Sequence, residues 1–313
     1  VGAVCVEGCR RGRALSTLKL TDNSTASIAL YLYNCGKHKT PPPPHQIKTI
    51  TDALSTDESP MTSVEIDKAF CVMKAFSDRH PDGNNLFKTL NKKVQELNTH
   101  LSMRSVISIL NSVHRFTGQR NTEVIQLAGL LARSISESKD VLSSKDLKYM
   151  LFNIKQMSSD FAEVRSLVAA LSEKMAKSTC KLDIYSVCIA LHGFKSLSSD
   201  CSEVRKLLQQ IINRLSSTGD KLPPRVYSNA LHGMRNMSSS HSEVRIMVNI
   251  LNRHISNSND VWSGMDIGNA IYGLRYMSSE SVEVKKLVHT LSIKVAESDS
   301  YFGAPGGGKT LYG

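Results

Sequence analysis

The sequence predicts an all-α fold, a right-handed α-solenoid of about seven helix-turn-helix units, each of 40 residues. Three observations carry that reading. The dipeptide Glu-Val recurs at Glu123, Glu163, Glu203, Glu243 and Glu283, always 40 residues apart. A second string keeps the same step, as Met157-Ser158-Ser159, Leu197-Ser198-Ser199, Met237-Ser238-Ser239 and Met277-Ser278-Ser279. Between these marks the apolar residues follow a helical period, and no period-two alternation persists, which argues against strands. Counting back, Phe116 and Phe76 share a column, as do Phe87 and Ile47, so the array runs over residues 24–302.

The second helix of each unit is the clearer of the two. Val164, Leu167, Val168, Leu171 and Met175 fall on one helical face. The same offsets give Val204, Leu207, Leu208, Ile211 and Leu215, then Val244, Met247, Val248, Leu251 and Ile255. Asp160 with Glu163, Asp200 with Glu203 and Ser240 with Glu243 read as capping boxes, which would account for the Glu column without catalysis. The first helix carries Val187, Leu191, Phe194 and Leu197, repeated as Tyr227, Leu231, Met234 and Met237, and as Ile267, Ile271, Leu274 and Met277. Gly193, Gly233 and Gly273 lie near its C-terminal half, where glycine weakens a helix and so implies close packing, a bend or a cap. Neither stripe can be buried by one hairpin alone, whereas stacked hairpins bury both.

The ends of the chain are less regular. Residues 1–23 read as a tail with Arg10, Arg11 and Arg13 against a single acid, Glu7, in keeping with a transit-like segment. Pro41 to Pro44, and Pro81 after them, suit an inter-helix turn or a first helical position. The run Gly303-Ala304-Pro305-Gly306-Gly307-Gly308-Lys309-Thr310 fits the phosphate-binding loop pattern letter for letter, but no apolar strand precedes it. Leu311-Tyr312-Gly313 lies 40 residues after Ile271-Tyr272-Gly273, so residues 303–313 read first as the start of a further, truncated repeat. A nucleotide site there is a third-ranked expectation.

Composition narrows the function. Lys and Arg number 39 against 28 Asp and Glu, a formal charge of +11, which points to a polyanionic partner such as nucleic acid. Apolar residues make up 41%, too many for disorder, and no apolar run reaches membrane-spanning length, so no membrane partner is expected. The seven scattered cysteines form no C-x-x-C and imply no disulfide framework. Neither a metal-binding spacing of His and Cys nor a nucleophile-base pattern is present, so no enzyme activity, catalytic residue, metal or cofactor is expected.

The strings Ser228-Asn229-Ala230-Leu231-His232-Gly233 and Gly268-Asn269-Ala270-Ile271-Tyr272-Gly273, with Ile28 to Cys35 followed by Pro41 to Pro44, are similar to the octotricopeptide-type repeats of organellar RNA-binding proteins, which also occur beside RAP-domain arrays. In those repeats a first helix carries an Asn-Ala-Leu-Trp/Tyr string and a proline-led second helix follows. Here Phe152, His192, His232 or Tyr272 stands where that family commonly has Trp. The resemblance covers most of the chain. It implies binding of single-stranded RNA in a mitochondrion or chloroplast, supporting RNA processing, stability or translation.

Candidate binding residues come from the other face of the first helix. Offsets of three, seven and ten residues give Lys145, Lys148, Phe152 and Lys155; Tyr185, Cys188, His192 and Lys195; Arg225, Ser228, His232 and Arg235; and Met265, Gly268, Tyr272 and Arg275. The last column is always basic, and Arg115 extends it, so Arg115, Lys155, Lys195, Arg235 and Arg275 are the expected phosphate contacts. Phe152, His192, His232 and Tyr272 form a column of rings, which either stack on bases or pack between repeats. Lys148 and Ser228 occupy a variable column suited to base reading. Arg165, Arg205, Arg245 and Lys285 form a second basic column, expected in local salt bridges. The alternative function is a protein-protein interaction scaffold of the same architecture that binds no nucleic acid.

Overall fold

The computed structural model describes residues 22–76, 80–97, 100–113, 122–216 and 221–298. Most of the tail, Arg115 and the glycine-rich run at 303–310 lie outside these residues. Among the described residues the protein is all-α, with fourteen α-helices, two short 3₁₀ segments and no strand. The chain divides into two compact units, Val1–Ser138 and Lys139–Gly313.

In the first unit, helices α1 (Thr25–His38), α3 (Ser63–Phe70) and α5 (Met103–Val113) pack in succession as one layer. Helices α2 (Pro44–Thr56), α4 (Pro81–Gln95) and α6 (Thr122–Glu137) form the other. Pro44 and Pro81 each sit in the first turn of a helix, where the missing N–H leaves no intrahelical bond unmade. Ile47 and Phe87 are both buried, and Phe87 meets Phe70 edge-on at 6.2 Å. The column read from the sequence is therefore a core column.

The second unit repeats the arrangement with greater regularity. Its first helices are α7 (Ser144–Asn153), α9 (Ile184–His192), α11 (Pro224–Gly233) and α13 (Gly264–Tyr272), each packed on the one before. Its second helices, α8 (Ala162–Lys177), α10 (Ser202–Arg214), α12 (Ser242–Ser256) and α14 (Val282–Ala296), form a parallel succession. The predicted stripes are buried: Val164 to Met175 on α8, Val204 to Ile211 on α10, Val244 to Ile255 on α12. Leu142, Leu182, Leu222 and Trp262, one per hairpin, add a buried column at the entry to each first helix.

The first helices are shorter than their apolar stripe. Helix α9 stops at His192, and Gly193–Ser196 tightens into a 3₁₀ segment before the chain extends at Leu197. Phe194 and Leu197 remain buried all the same. The glycine column shows why the chain turns here. A Cβ built on Gly193, Gly233 or Gly273 would lie 1.8, 2.0 or 2.2 Å from the carbonyl oxygen of Leu151, Leu191 or Leu231 in the preceding first helix. Close backbone packing is thus the glycines' role, and although Gly193 and Gly273 also stand at helix C-caps, none of the three has the positive φ of a left-handed cap.

The turns between helices differ from expectation in one respect. The N-caps of α8, α10 and α12 are Phe161, Cys201 and His241, and none makes a side-chain capping bond. Asp160 instead donates its N–H to Ser158 Oγ, and Asp200 to Ser198 Oγ, which moves the helix start past the expected cap. Glu163, Glu203 and Glu243 therefore act through the helix dipole in the first turn. Full capping boxes occur on first helices, at Thr62 with Glu65 and Ser143 with Asp146.

Each turn is fastened twice. Arg165, Arg205 and Arg245 reach back from the second helix and donate to the carbonyls of residues 159 and 160, 199 and 200, and 239 and 240, at 2.6–3.0 Å. Arg165, Arg205 and Arg245 thus bond backbone carbonyls, and Lys285 faces a carboxylate, Glu280 at 3.8 Å. Neighbouring turns are joined by serines: Ser198 N–H donates to Ser159 Oγ, Ser238 to Ser199 and Ser278 to Ser239, at 2.9, 2.8 and 2.7 Å. The Met/Leu-Ser-Ser string is the sequence trace of this chain of bonds.

Candidate nucleic-acid interface

Backbone contact at the glycines brings the residues on either side of them into register across successive first helices. Two pairs of rings meet across neighbouring hairpins. Phe152 and His192 lie 5.5 Å apart, edge to face, and His232 and Tyr272 lie 5.6 Å apart at 25°, nearly parallel. All four rings are only half-buried. They pack between repeats and still present part of their surface outward.

The cations run beside the rings. Lys155 places Nζ 4.3 Å from the Phe152 ring centre, and Arg275 places Cζ 4.8 Å from that of Tyr272. Lys155, Lys195, Arg235 and Arg275 are all half-buried. Their backbones are tied together as well. Ser196 Oγ donates to Lys155 O, Asn236 Nδ2 to Lys195 O, and Arg275 Nε to Arg235 O, each at 3.2 Å. The guanidinium of Arg275 also donates to Asn236 Oδ1 at 2.8 Å and to Tyr272 Oη.

Electrostatics show how tightly this row is drawn. Burial, then the charges of Lys155, Lys195 and Arg235, push the His192 imidazole down to about 4. Three cations from three successive hairpins thus act on one ring, and His192 is neutral at physiological pH. Arg235 Nε is buried without a hydrogen-bond partner, and burial lowers the guanidinium's pKa. Positive charge drawn together in a partly desolvated row favours an anion more strongly than the same charges spread in water.

The structure places the expected site residues unevenly. Lys155, Lys195, Arg235 and Arg275 share one ridge with Phe152, His192, His232 and Tyr272. Ser228 departs from expectation: it is fully buried, and its hydroxyl donates to Arg225 O and Asp266 Oδ1, both at 3.1 Å. It joins α11 to α13 and offers nothing to a base. Lys148 is half-buried, with Nζ 5.2 Å from the Tyr149 ring centre and 5.1 Å from that of Tyr185. The variable column of Lys148, Cys188, Ser228 and Gly268 mostly turns inward, because the small residues in it sit between helices. One residue later in the repeat, Tyr149 is exposed and Ile189, Asn229 and Asn269 are half-buried. Tyr276 was also missed by the spacing argument and is 61% exposed.

Among the described residues no group of three or more His, Cys, Asp or Glu side chains could hold a metal ion. No described helix is long and apolar enough to cross a membrane. Comparison with protein-family models, curated proteins and solved structures gives no match.

Proposed function

We propose that the chain is a right-handed α-solenoid of about seven 40-residue repeats that binds single-stranded RNA along the ridge of its first helices. The observation that carries this reading is the row of half-buried cations beside half-buried rings, with Lys155 Nζ 4.3 Å from the Phe152 ring centre and Arg275 Cζ 4.8 Å from that of Tyr272. A row of cations set against a row of partly exposed rings is the pairing a single strand requires, with charge for its phosphates and flat faces for its bases. Lys148, with Tyr149, Ile189, Asn229 and Asn269 one residue later in the repeat, supplies base-facing contacts, and the buried Ser228 does not. Action in a mitochondrion or chloroplast, in RNA processing, stability or translation, belongs to the same proposal and rests on the family resemblance alone.

Selection of bound molecules from a random single-stranded RNA pool, followed by sequencing, tests the reading. The expected result is enrichment of a short motif. Recovery of the input pool at unchanged composition would overturn sequence-selective binding. A protein-binding scaffold is the second reading, favoured by the uncovered apolar side of α14, where Val288 is 51% exposed.

A further inference from the structure

Helix α13 ends in a stack of side chains. His232 lies parallel to Tyr272 at 5.6 Å, Arg275 covers Tyr272 with its Cζ 4.8 Å away, and the same guanidinium lies 4.8 Å from the Tyr276 ring centre. The order is therefore His232, Tyr272, Arg275, Tyr276. The guanidinium is held between the two tyrosines by its bonds to Arg235 O, Asn236 Oδ1 and Tyr272 Oη. It is a rigid backing rather than a swinging cation.

The position of Tyr276 explains why it is available. Its column holds Gln156, Ser196, Asn236 and Tyr276. Ser196 and Asn236 each donate to the carbonyl of the preceding repeat's basic residue. A tyrosine cannot supply the short amide or hydroxyl that bond needs, and at this repeat Arg275 makes it instead. Tyr276 is thereby released from the structural task of its column and stands 61% exposed. A large aromatic side chain held against a fixed guanidinium, with much of its surface in water, suits a planar uncharged ligand.

We infer that the exposed face of Tyr276 is a stacking subsite for one nucleobase of the bound strand, purine over pyrimidine because the purine offers the larger face. This rests on the single-strand reading, since the adjoining Arg235 and Lys195 would hold the phosphates that follow that base. The whole chain carrying Tyr276→Ala, Tyr276→Trp or the pair Lys155→Gln and Lys195→Gln is titrated with single-stranded RNA containing 2-aminopurine. Tyr276→Ala is expected to weaken binding on the order of tenfold and to abolish the quenching of one 2-aminopurine, with the salt dependence unchanged. Tyr276→Trp is expected to retain the affinity and the quenching. Unchanged affinity and quenching in Tyr276→Ala, while the lysine pair weakens binding, would sink the subsite and leave the strand reading standing. Absence of binding by the unaltered chain would sink both. Thermal melts of the variants read by circular dichroism separate lost stacking from lost folding: weaker binding by a Tyr276→Ala chain that melts well below the unaltered chain counts against the subsite.

Discussion

A methyl group on Gly233 would lie 2.0 Å from the carbonyl oxygen of Leu191, and the atom in its way is backbone. Helices α9 and α11 would have to separate. Gly233→Ala is accordingly expected to lower stability by about 1–3 kcal/mol, read as a fall in the urea midpoint at constant slope. The sequence displayed this glycine column but left close packing, a bend and a cap undecided, because the contacting atom is a carbonyl that every residue possesses. His192 belongs to the same scale. Its folded pKa is depressed, so the unfolded chain takes up the proton first as pH falls. The His192 contribution to stability should be lost between about pH 6.5 and pH 4, and His192→Gln should flatten that segment of the curve. Bound polyanion would offset Lys155, Lys195 and Arg235, so RNA should raise the His192 pKa, observable by NMR titration with and without ligand. The inward turn of Ser228 has a legible cause in retrospect. Offsets of three and of four residues both stay near one helical face, and only the small size of Cys188, Ser228 and Gly268 marks which of them lies against a neighbour.

Helices and turns were read well where the repeat is strict and less well where side chains compete for the same backbone groups. The capping boxes expected at Asp160 and Asp200 fail because Ser158 and Ser198 take the N–H groups of those residues first. The arginine column was visible, but not its acceptors, since carbonyls leave no mark in a sequence. Arg205 fastens its turn through two charge-assisted bonds, to Ser199 O and Asp200 O. Arg205→Ala should therefore cost roughly 1.5–3 kcal/mol, and Arg205→Lys should recover only part of it, because an ammonium cannot reproduce the planar donor geometry of a guanidinium. The second helices provide a paired test of stacking. Val248 is wholly buried by the following hairpin, whereas Val288, its equivalent in α14, is 51% exposed. Chemical denaturation should show Val248→Ala costing about 2 kcal/mol or more and Val288→Ala less than about 0.5 kcal/mol.

At the scale of the whole molecule, a 40-residue period carried most of the architecture, because each hairpin repeats the same burial problem and solves it with the same residues. The rows of cations and rings follow from that regularity: when hairpins stack in register, like-placed side chains become rows. Spacing gave the cation and ring columns. The stack ending at Tyr276 was hidden, since it depends on one departure from the repeat pattern. We propose that Lys155, Lys195, Arg235 and Arg275 act together on a strand of phosphates. The dependence of single-stranded RNA affinity on salt tests it most directly. Log affinity against log salt concentration should fall with a slope of about −3, and replacing Lys155 and Lys195 by Gln should reduce that slope by about 1.4. A flat dependence, or a slope untouched by those two substitutions, would contradict it.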